Sequence, residues 1–208
     1  MPPEESLAAL NIINFPIDDN CVGSKWTVAN EDQLAGLIAT VVMGQAAQAE
    51  HIIEALLPAA PAFTNEALKR EAIIKFTVQE ISQTPRIGYP RVQRDGLIFE
   101  LISWIAAKQV SGDRCYLKDP HISATSQGLD GMMIELKNDR SEISKSTIFE
   151  DKCTISPRDT FTQKVIPGFL DRHGNTRNAE LIAAATSLIK MSGASGVQAM
   201  NMVRKVLD

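Results

Sequence analysis

The sequence predicts an α/β fold in which a central mixed or antiparallel sheet of about three to five strands is flanked by helices. Apolar residues recur at helical spacing through most of the first half of the chain, a strand-like pattern follows, and helical spacing then returns. We therefore predict two parts: a mainly helical accessory region over 1–90, and an α/β core with C-terminal helices over 91–208.

The N-terminal part is predicted to be irregular over 1–30, where prolines are frequent, apart from one short strand around the sequence LNIINF. Residues 31–57 are predicted to form one long helix, because Glu31 and Asp32 suit a first turn and apolar residues follow at helical spacing. Pro58 is expected to end this helix, since proline lacks the backbone N–H that a helix interior requires.

Two further helices are predicted before the sheet. One covers about 65–82, with Thr64 as the candidate N-cap. The other covers about 95–109 and is apolar on most sides, so we expect it to be buried. Glu100 lies inside this second helix among apolar neighbours, which argues against a free surface position.

The central sheet is predicted from three strand-like segments, at 121–125, 129–136 and 146–154. The charged sequence KNDRSEISK joins the second segment to the third, so these two are expected to form a hairpin. Three helical segments follow, at 156–169, 175–193 and 195–207.

Composition and charge argue against several classes of protein. Apolar residues make up 44% and charged residues 22%, which is ordinary for a soluble domain, and the net charge of −4 argues against a histone-like protein. The three cysteines lie far apart without a CxxC pair, so we expect neither a structural zinc site nor a secreted disulfide framework. No secretory signal is recognised and polar residues interrupt the longest apolar-rich segment, so we predict a cytoplasmic protein without a membrane span.

Charged residues at the predicted hairpin form the candidate functional site. Asp130 opens the second strand, and Glu150 and Lys152 lie two residues apart, on what we expect to be one face of the third strand. Pairing of the two strands is expected to bring Asp130 close to Glu150. Two facing carboxylates repel unless a cation lies between them, and Mg²⁺ prefers such oxygen ligands. The flanking Gly128 and Gly131 are expected to let a metal and a phosphate approach the backbone.

This arrangement resembles the PD-(D/E)xK superfamily of restriction-endonuclease-like nucleases. In that superfamily an aspartate on one strand and an E-x-K motif on the next form the metal site, and a preceding helix often adds a glutamate. The resemblance covers roughly 95–170 and implies that Asp130, Glu150 and Glu100 bind Mg²⁺, with Mn²⁺ as an alternative, while Lys152 assists catalysis. The proline of the PD motif is absent, because a leucine precedes the aspartate.

The same resemblance implies a hydrolase that cleaves phosphodiester bonds of DNA, in a bacterial anti-phage or restriction system. Some branches of the superfamily carry a glutamine on the helix after the E-x-K strand, and Gln163 is the corresponding candidate. Arg94, Arg158 and Lys164 flank the site in sequence and are candidates for phosphate contacts. Because an unrestrained nuclease is toxic to its host, we expect a restraining protein partner or a second subunit.

Plainer interpretations stay open for the central residues. Asp-Gly is a common turn dipeptide, so Asp130 is also consistent with a turn residue that binds no ligand. Glu150 and Lys152 are also consistent with a structural ion pair on an edge strand. In that alternative the protein is a non-catalytic interaction module that docks a partner through its long helices.

Two neighbouring patterns bear on these interpretations. A second E-x-K pattern at 135–137 lies on the same predicted strand as Asp130, but its odd offset puts the two carboxylates on opposite strand faces, so we reject it as the site. For Glu100, the alternative to metal binding is an ion pair with Arg94 or Lys108.

Overall fold

Each of two compact units in the computed structural model of the chain contains its own antiparallel sheet. One unit comprises Met1–Val110 with His121–Ala124, and the other comprises Ser111–Pro120 with Thr125–Asp208. The structure describes residues 7–19, 21–59, 66–82, 84–126, 128–173 and 178–207. The predicted α/β class is confirmed at the coarse level of helices and small antiparallel sheets, and the division after residue 90 stays a prediction.

The first unit begins with a two-stranded antiparallel hairpin, formed by β1 (Leu10–Asp18) and β2 (Cys21–Val28). The short strand predicted around LNIINF is therefore confirmed within β1, and the irregular structure predicted around it was wrong for 16–18 and 21–28. Pro16 does not end β1, because each strand of a two-stranded sheet has an open edge that needs no N–H. The hairpin exposes apolar side chains on both faces, so it lacks the alternation by which a half-buried strand is recognised.

Helix α4 (Arg91–Val110) anchors this hairpin. The indole of Trp26 stacks on the ring of Phe99, with ring centroids 6.4 Å apart. The side-chain amide of Gln109 accepts a hydrogen bond from the N–H of Leu10 and donates one to its carbonyl, both at 3.1 Å. Because a lone hairpin is marginal in water, these contacts account for its order.

The helix predicted over 31–57 is two helices, α1 (Glu31–Val42) and α2 (Ala46–Glu54), separated at Gly44. Gly44 has a φ of 80°, a left-handed conformation that glycine adopts without the steric penalty of a Cβ. Its N–H donates to the Val41 carbonyl (2.8 Å), and the N–H of Gln45 donates to the Thr40 carbonyl (3.2 Å). These two hydrogen bonds form a Schellman motif. Apolar spacing continues on both sides, so periodicity alone does not reveal the break.

Replacing Gly44 by alanine is expected to destabilise the first unit by about 1 kcal/mol, because an L-residue there must adopt the left-handed conformation. An added Cβ would meet no atom within 4 Å, so the cost is that of the backbone alone. Urea unfolding followed by tryptophan fluorescence measures the effect, since both tryptophans, Trp26 and Trp104, lie in this unit.

Gly96→Ala is the matched control for this prediction. Gly96 lies inside α4 without a positive φ, and its Cβ would also meet nothing within 4 Å. Alanine there is expected to stabilise the unit by about 0.5–1 kcal/mol, because it favours the helix. Shifts of the same sign in both variants would contradict the role assigned to Gly44.

Helices α1, α2 and α4 supply the core of the first unit. Their largely buried apolar side chains include Leu34, Leu37, Val41, Val42, Ala49, Ile52, Leu97, Leu101, Trp104 and Ile105. The apolar face of α1 is therefore inside this unit, and it does not form the docking surface that the non-catalytic alternative expected. Helix α4 is buried as predicted and begins earlier, directly after Pro90, a residue type suited to helix starts.

Helix α3 (Glu66–Phe76) is shorter than the predicted 65–82, and the candidate cap Thr64 lies outside the described residues. The chain leaves the helix because the segment directly after it pairs with the backbone of Tyr89. The N–H of Tyr89 donates to the Thr77 carbonyl (3.0 Å), and its carbonyl accepts from the N–H of Gln79 (2.8 Å). The buried ammonium of Lys75 donates to the last carbonyl of α1 (3.1 Å), where a positive charge complements the helix dipole.

A three-stranded antiparallel sheet forms the centre of the second unit, in the order β3 (Cys115–Leu117), β4 (Gly131–Leu136) and β5 (Ile143–Phe149). The strand predicted at 121–125 was wrong, and β3 takes the outer position beside β4. The predicted hairpin of the other two strands is present, although β5 ends at Phe149 and not at residue 154.

Side chains of the first unit account for the conformation of the segment mistaken for a strand. The carboxylate of Glu100 accepts a hydrogen bond from the N–H of His121 (2.8 Å). The hydroxyl of Tyr89 lies 2.9 Å from that of Ser123, within hydrogen-bond distance. These polar groups are satisfied by side chains and not by a strand ladder, which propensity alone does not foresee.

The core of the second unit lies between β4 and two C-terminal helices, α7 (Asn178–Met191) and α8 (Gly196–Leu207). Alternate side chains of β4 are buried against it, namely Met132, Ile134 and Leu136, and they meet Leu181, Ala185, Leu188, Ile189 and Met202. Both helices were predicted, and the first three residues of the predicted 175–193 lie outside the described residues.

The helical segment predicted at 156–169 has three parts: α5 (Pro157–Thr160), a π-helical turn (Phe161–Val165) and α6 (Ile166–His173). Such π-turns are rare and occur frequently at functional sites. Among the described residues, no helix combines the length and apolar character that a membrane crossing requires.

Candidate metal centre

Strand register places the two candidate carboxylates opposite one another. Gly131, the first residue of β4, pairs with Phe149, the last residue of β5. Asp130 and Glu150 are the next residues outward on each side of this pair, so the end of the hairpin brings them together. The aromatic ring lies over the glycine: a Cβ on Gly131 would be 3.1 Å from its Cδ2 atom. The space beside Gly131 is thus filled by a side chain, contrary to the expectation that it admits a metal or phosphate.

Glu150 and Lys152 do not share a strand face, because both lie beyond the end of β5. A loop brings them to Asp130 by a different route: the Asp130 carboxylate accepts a hydrogen bond from the N–H of Asp151 (2.8 Å). The other end of the loop is tied to α5, since the hydroxyl of Thr154 lies 3.0 Å from that of Thr160. The loop over 151–154 is therefore held at both ends.

The ammonium of Lys152 lies among these oxygens. Its Nζ is 2.7 Å from Glu150 Oε1, 3.4 Å from Asp130 Oδ2 and 3.0 Å from the Asp151 carbonyl. The side chains are 13% exposed for Glu150, 20% for Asp130 and 33% for Lys152, so the acidic groups are the more enclosed. One cation thus bridges the two carboxylates at the end of the sheet.

Electrostatics favour the charged form of Lys152. Desolvation lowers the pKa of its ammonium, but the hydrogen bond to Glu150 and the charges of Asp130 and Glu150 outweigh it, so the pKa is raised. Lys152 is consequently protonated at neutral pH and acts as a hydrogen-bond donor and positive charge. In this arrangement it is not a base that removes a proton from water.

Glu100 lies on α4 in the first unit, 13% exposed, and contacts His121 twice. It accepts the N–H of His121 and lies 3.0 Å from its Nδ1. Of the two alternative partners, Arg94 lies beside Asp95, and Lys108 pairs with Glu50 and Glu54. The contact with His121 was missed, because no spacing rule connects residues twenty-one positions apart in a loop and a helix. Metal binding by Glu100 stays a prediction.

The rejected E-x-K pattern forms ordinary surface pairs. Glu135 lies 3.8 Å from Arg114, and Lys137 lies 2.6 Å from Glu142. Glu135 is 35% exposed and Lys137 is 50% exposed. Because this pattern has the same residue types as Glu150 and Lys152, it provides matched control positions within the chain.

The candidate phosphate contacts fall in both units. Arg94 lies near the start of α4, where its guanidinium Nε is 2.8 Å from the Asp95 carboxylate without hydrogen-bond geometry. Arg158 lies in α5, and Gln163 and Lys164 lie in the π-helical turn; all three are exposed. Their roles stay predictions.

The donor set suits a hard divalent cation. Asp130 and Glu150 offer carboxylate oxygens, which Mg²⁺ prefers, and both carboxylates contact the ammonium of Lys152. Bonds from oxygen to Mg²⁺ are about 2.0–2.1 Å, shorter than either contact to Lys152, so the carboxylates must close in or act through bound waters. Asp130 and Glu150 would hold the ion.

No protein-family model matches the chain, and neither does any curated protein or solved structure. The resemblance to the nuclease superfamily rests on the residues described above.

Proposed function

We propose that the protein is a Mg²⁺-dependent nuclease that hydrolyses phosphodiester bonds of DNA. The observation that carries this proposal is the convergence of two enclosed carboxylates and one lysine at the end of a β-hairpin. The second unit, a small antiparallel sheet followed by helices, is proposed to be a reduced restriction-endonuclease-like core.

Each residue of the site has a distinct task in this proposal. Asp130 and Glu150 bind the metal ion, and the Asp151 N–H orients the Asp130 carboxylate. Mg²⁺ bound there supplies Lewis acidity to the phosphate and lowers the pKa of bound water. Lys152, held in its protonated form, donates to a phosphate oxygen and stabilises the negative charge that develops during hydrolysis.

The remaining assignments follow from the resemblance. Glu100 is proposed as a further metal ligand, and Mn²⁺ as a metal that can replace Mg²⁺. Arg94, Arg158, Gln163 and Lys164 are proposed to contact the DNA backbone, and the π-helical turn that carries two of them supports a functional role for that segment. The proposed setting is the bacterial cytoplasm, in a defence or restriction-type system where a protein partner or second subunit restrains cleavage.

Plasmid cleavage tests the proposal. We expect purified protein to nick or linearise supercoiled plasmid with Mg²⁺ and to stop when the metal is chelated. Asp130→Asn keeps an acceptor for the Asp151 N–H while removing the charge, so it is expected to fold and to lose cleavage. Cleavage at the wild-type rate by this variant would exclude the proposed site.

One observation favours a second candidate function. The hairpin of the first unit exposes Ile13 (61%), Phe15 (46%) and Ile17 (61%) at alternate positions of β1, which form one apolar strip. A non-catalytic interaction module would use such a surface, and the contact of Glu150 with Lys152 would then be structural. In that case Lys152→Met would lower thermal stability without any change in divalent-metal binding.

A further inference from the structure

We propose that Lys152 competes with the divalent metal for Asp130 and Glu150, so that metal binding and the release of Lys152 are one exchange. This inference rests on the proposed metal site. It adds that the chain supplies its own cation to that site, and that the ammonium must leave before the metal engages both carboxylates.

Distances and charge lead to this exchange. The single Nζ atom of Lys152 contacts one oxygen of Glu150 at 2.7 Å and one of Asp130 at 3.4 Å. A metal ion bound by the same two oxygens would lie in the space that the ammonium occupies. Like charges at such separations repel strongly in a partly enclosed site, so both cations cannot be held there together.

The ammonium also has a defined role before the metal binds. Two enclosed carboxylates at the end of one hairpin repel each other, and the shared positive charge offsets that repulsion. The metal must displace Lys152 from Asp130 and Glu150. The free energy of metal binding is therefore less favourable by the free energy of these ion pairs.

The exchange requires movement of side chains and not of the loop backbone. The loop backbone is held by the Asp151 N–H on Asp130 and by the hydroxyl contact between Thr154 and Thr160. Lys152 has a long flexible stem, so its ammonium can swing out, and the carboxylates can then close in on the metal or bind it through waters. The released charge is then available to a phosphate, which couples metal loading to substrate binding.

Calorimetric titration of Mn²⁺ into the full chain tests the exchange. We expect Lys152→Met to bind Mn²⁺ at least about tenfold more tightly than wild type, because its side chain keeps the apolar stem and removes the competing charge. Lys137→Met is the matched control, since Lys137 also lies two residues after a glutamate and is paired to Glu142, and its affinity is expected to be unchanged.

The outcomes separate this inference from the proposed function. Equal or weaker Mn²⁺ binding by Lys152→Met, at a site that Asp130→Asn abolishes, overturns the exchange and leaves the metal site intact. Absence of Mn²⁺ binding in wild type and in Lys152→Met overturns both.

A measurement on the wild-type protein avoids any dependence on how the variant folds. Trace acetylation by an activated acetate ester, quantified for each lysine by mass spectrometry, reports how free each amine is. Saturating Mn²⁺ is expected to raise labelling of Lys152 several-fold and to leave Lys137 unchanged. Unchanged or lower labelling of Lys152 in the metal-loaded protein overturns the exchange.

Discussion

Glu150→Gln is expected to lower Mg²⁺-dependent plasmid cleavage by on the order of 10²- to 10³-fold, because it removes one of the two charges proposed to hold the metal. The variant is expected to fold like the wild-type protein. Glutamine has the size of glutamate and keeps an oxygen that accepts the hydrogen bond from Lys152, now 2.7 Å from Glu150. Initial rates of plasmid nicking at saturating Mg²⁺ measure the effect.

Glu135→Gln is the control for this prediction. Glu135 also begins an E-x-K pattern and is also paired to a basic side chain, Arg114, but it lies away from the proposed metal ligands along β4. Its replacement is expected to leave cleavage within about twofold of wild type. Equal losses in the two variants would show that the effect is not specific to the site at Asp130.

The double variant Glu50→Gln/Glu54→Gln is expected to lower the free energy of unfolding of the first unit by about 3 kcal/mol. Its target is Lys108 of α4, whose side chain is only 3% exposed and which is paired with both glutamates of α2. Without their charges a buried ammonium loses its counter-ions, and that is costly. Urea unfolding with tryptophan fluorescence reports on this unit, which holds both tryptophans.

Lys108→Met is the comparison that identifies the cause. It removes the buried charge and keeps an apolar stem, while the glutamates it leaves are 34% and 56% exposed and reach water. We therefore expect this variant to lose only about 1 kcal/mol. A larger loss in Lys108→Met than in the double glutamine variant would contradict the view that the stranded ammonium dominates.

The pH dependence of stability gives a second readout for Lys108. Burial lowers its pKa, but the hydrogen bonds and charges of Glu50 and Glu54 outweigh that effect and raise it. The wild-type contribution is therefore complete below the unfolded lysine pKa of about 10.4 and is lost as pH rises through the folded pKa. In the double glutamine variant the charges of both glutamates are gone, and burial lowers the pKa of Lys108 in the folded state. Stability is therefore expected to rise with pH until the pH reaches the unfolded lysine pKa.

Periodicity in the sequence located most helices, and the failures have physical causes. The strand predicted around LNIINF lies within β1, but its partner β2 was missed, because the side chains of β2 do not alternate between buried and exposed positions. The break at Gly44 was missed because a left-handed glycine between two apolar stretches leaves the helical spacing unchanged. The strand at 121–125 was predicted from propensity, whereas side-chain hydrogen bonds hold that segment in the first unit.

The pairing that brings Asp130 opposite Glu150 was predicted, whereas the position of Lys152 was predicted for a wrong reason. Hairpin register follows from the alternation along β4, and it brings Asp130 opposite Glu150. The shared strand face of Glu150 and Lys152 was wrong, because β5 ends before both. The placement of Lys152 between the carboxylates depends on a loop conformation set by the Asp151 N–H and Thr154, which no sequence period encodes.

The proposed metal site places a divalent ion between Asp130 and Glu150 at the end of the hairpin. A crystal structure of the full chain soaked with Mn²⁺, with anomalous diffraction data, tests this placement. We expect an anomalous peak within about 2.1–2.3 Å of a carboxylate oxygen of each residue, with the ammonium of Lys152 withdrawn from between them. Saturating Mn²⁺ without a peak there, and with Lys152 still bridging the two carboxylates, would contradict it.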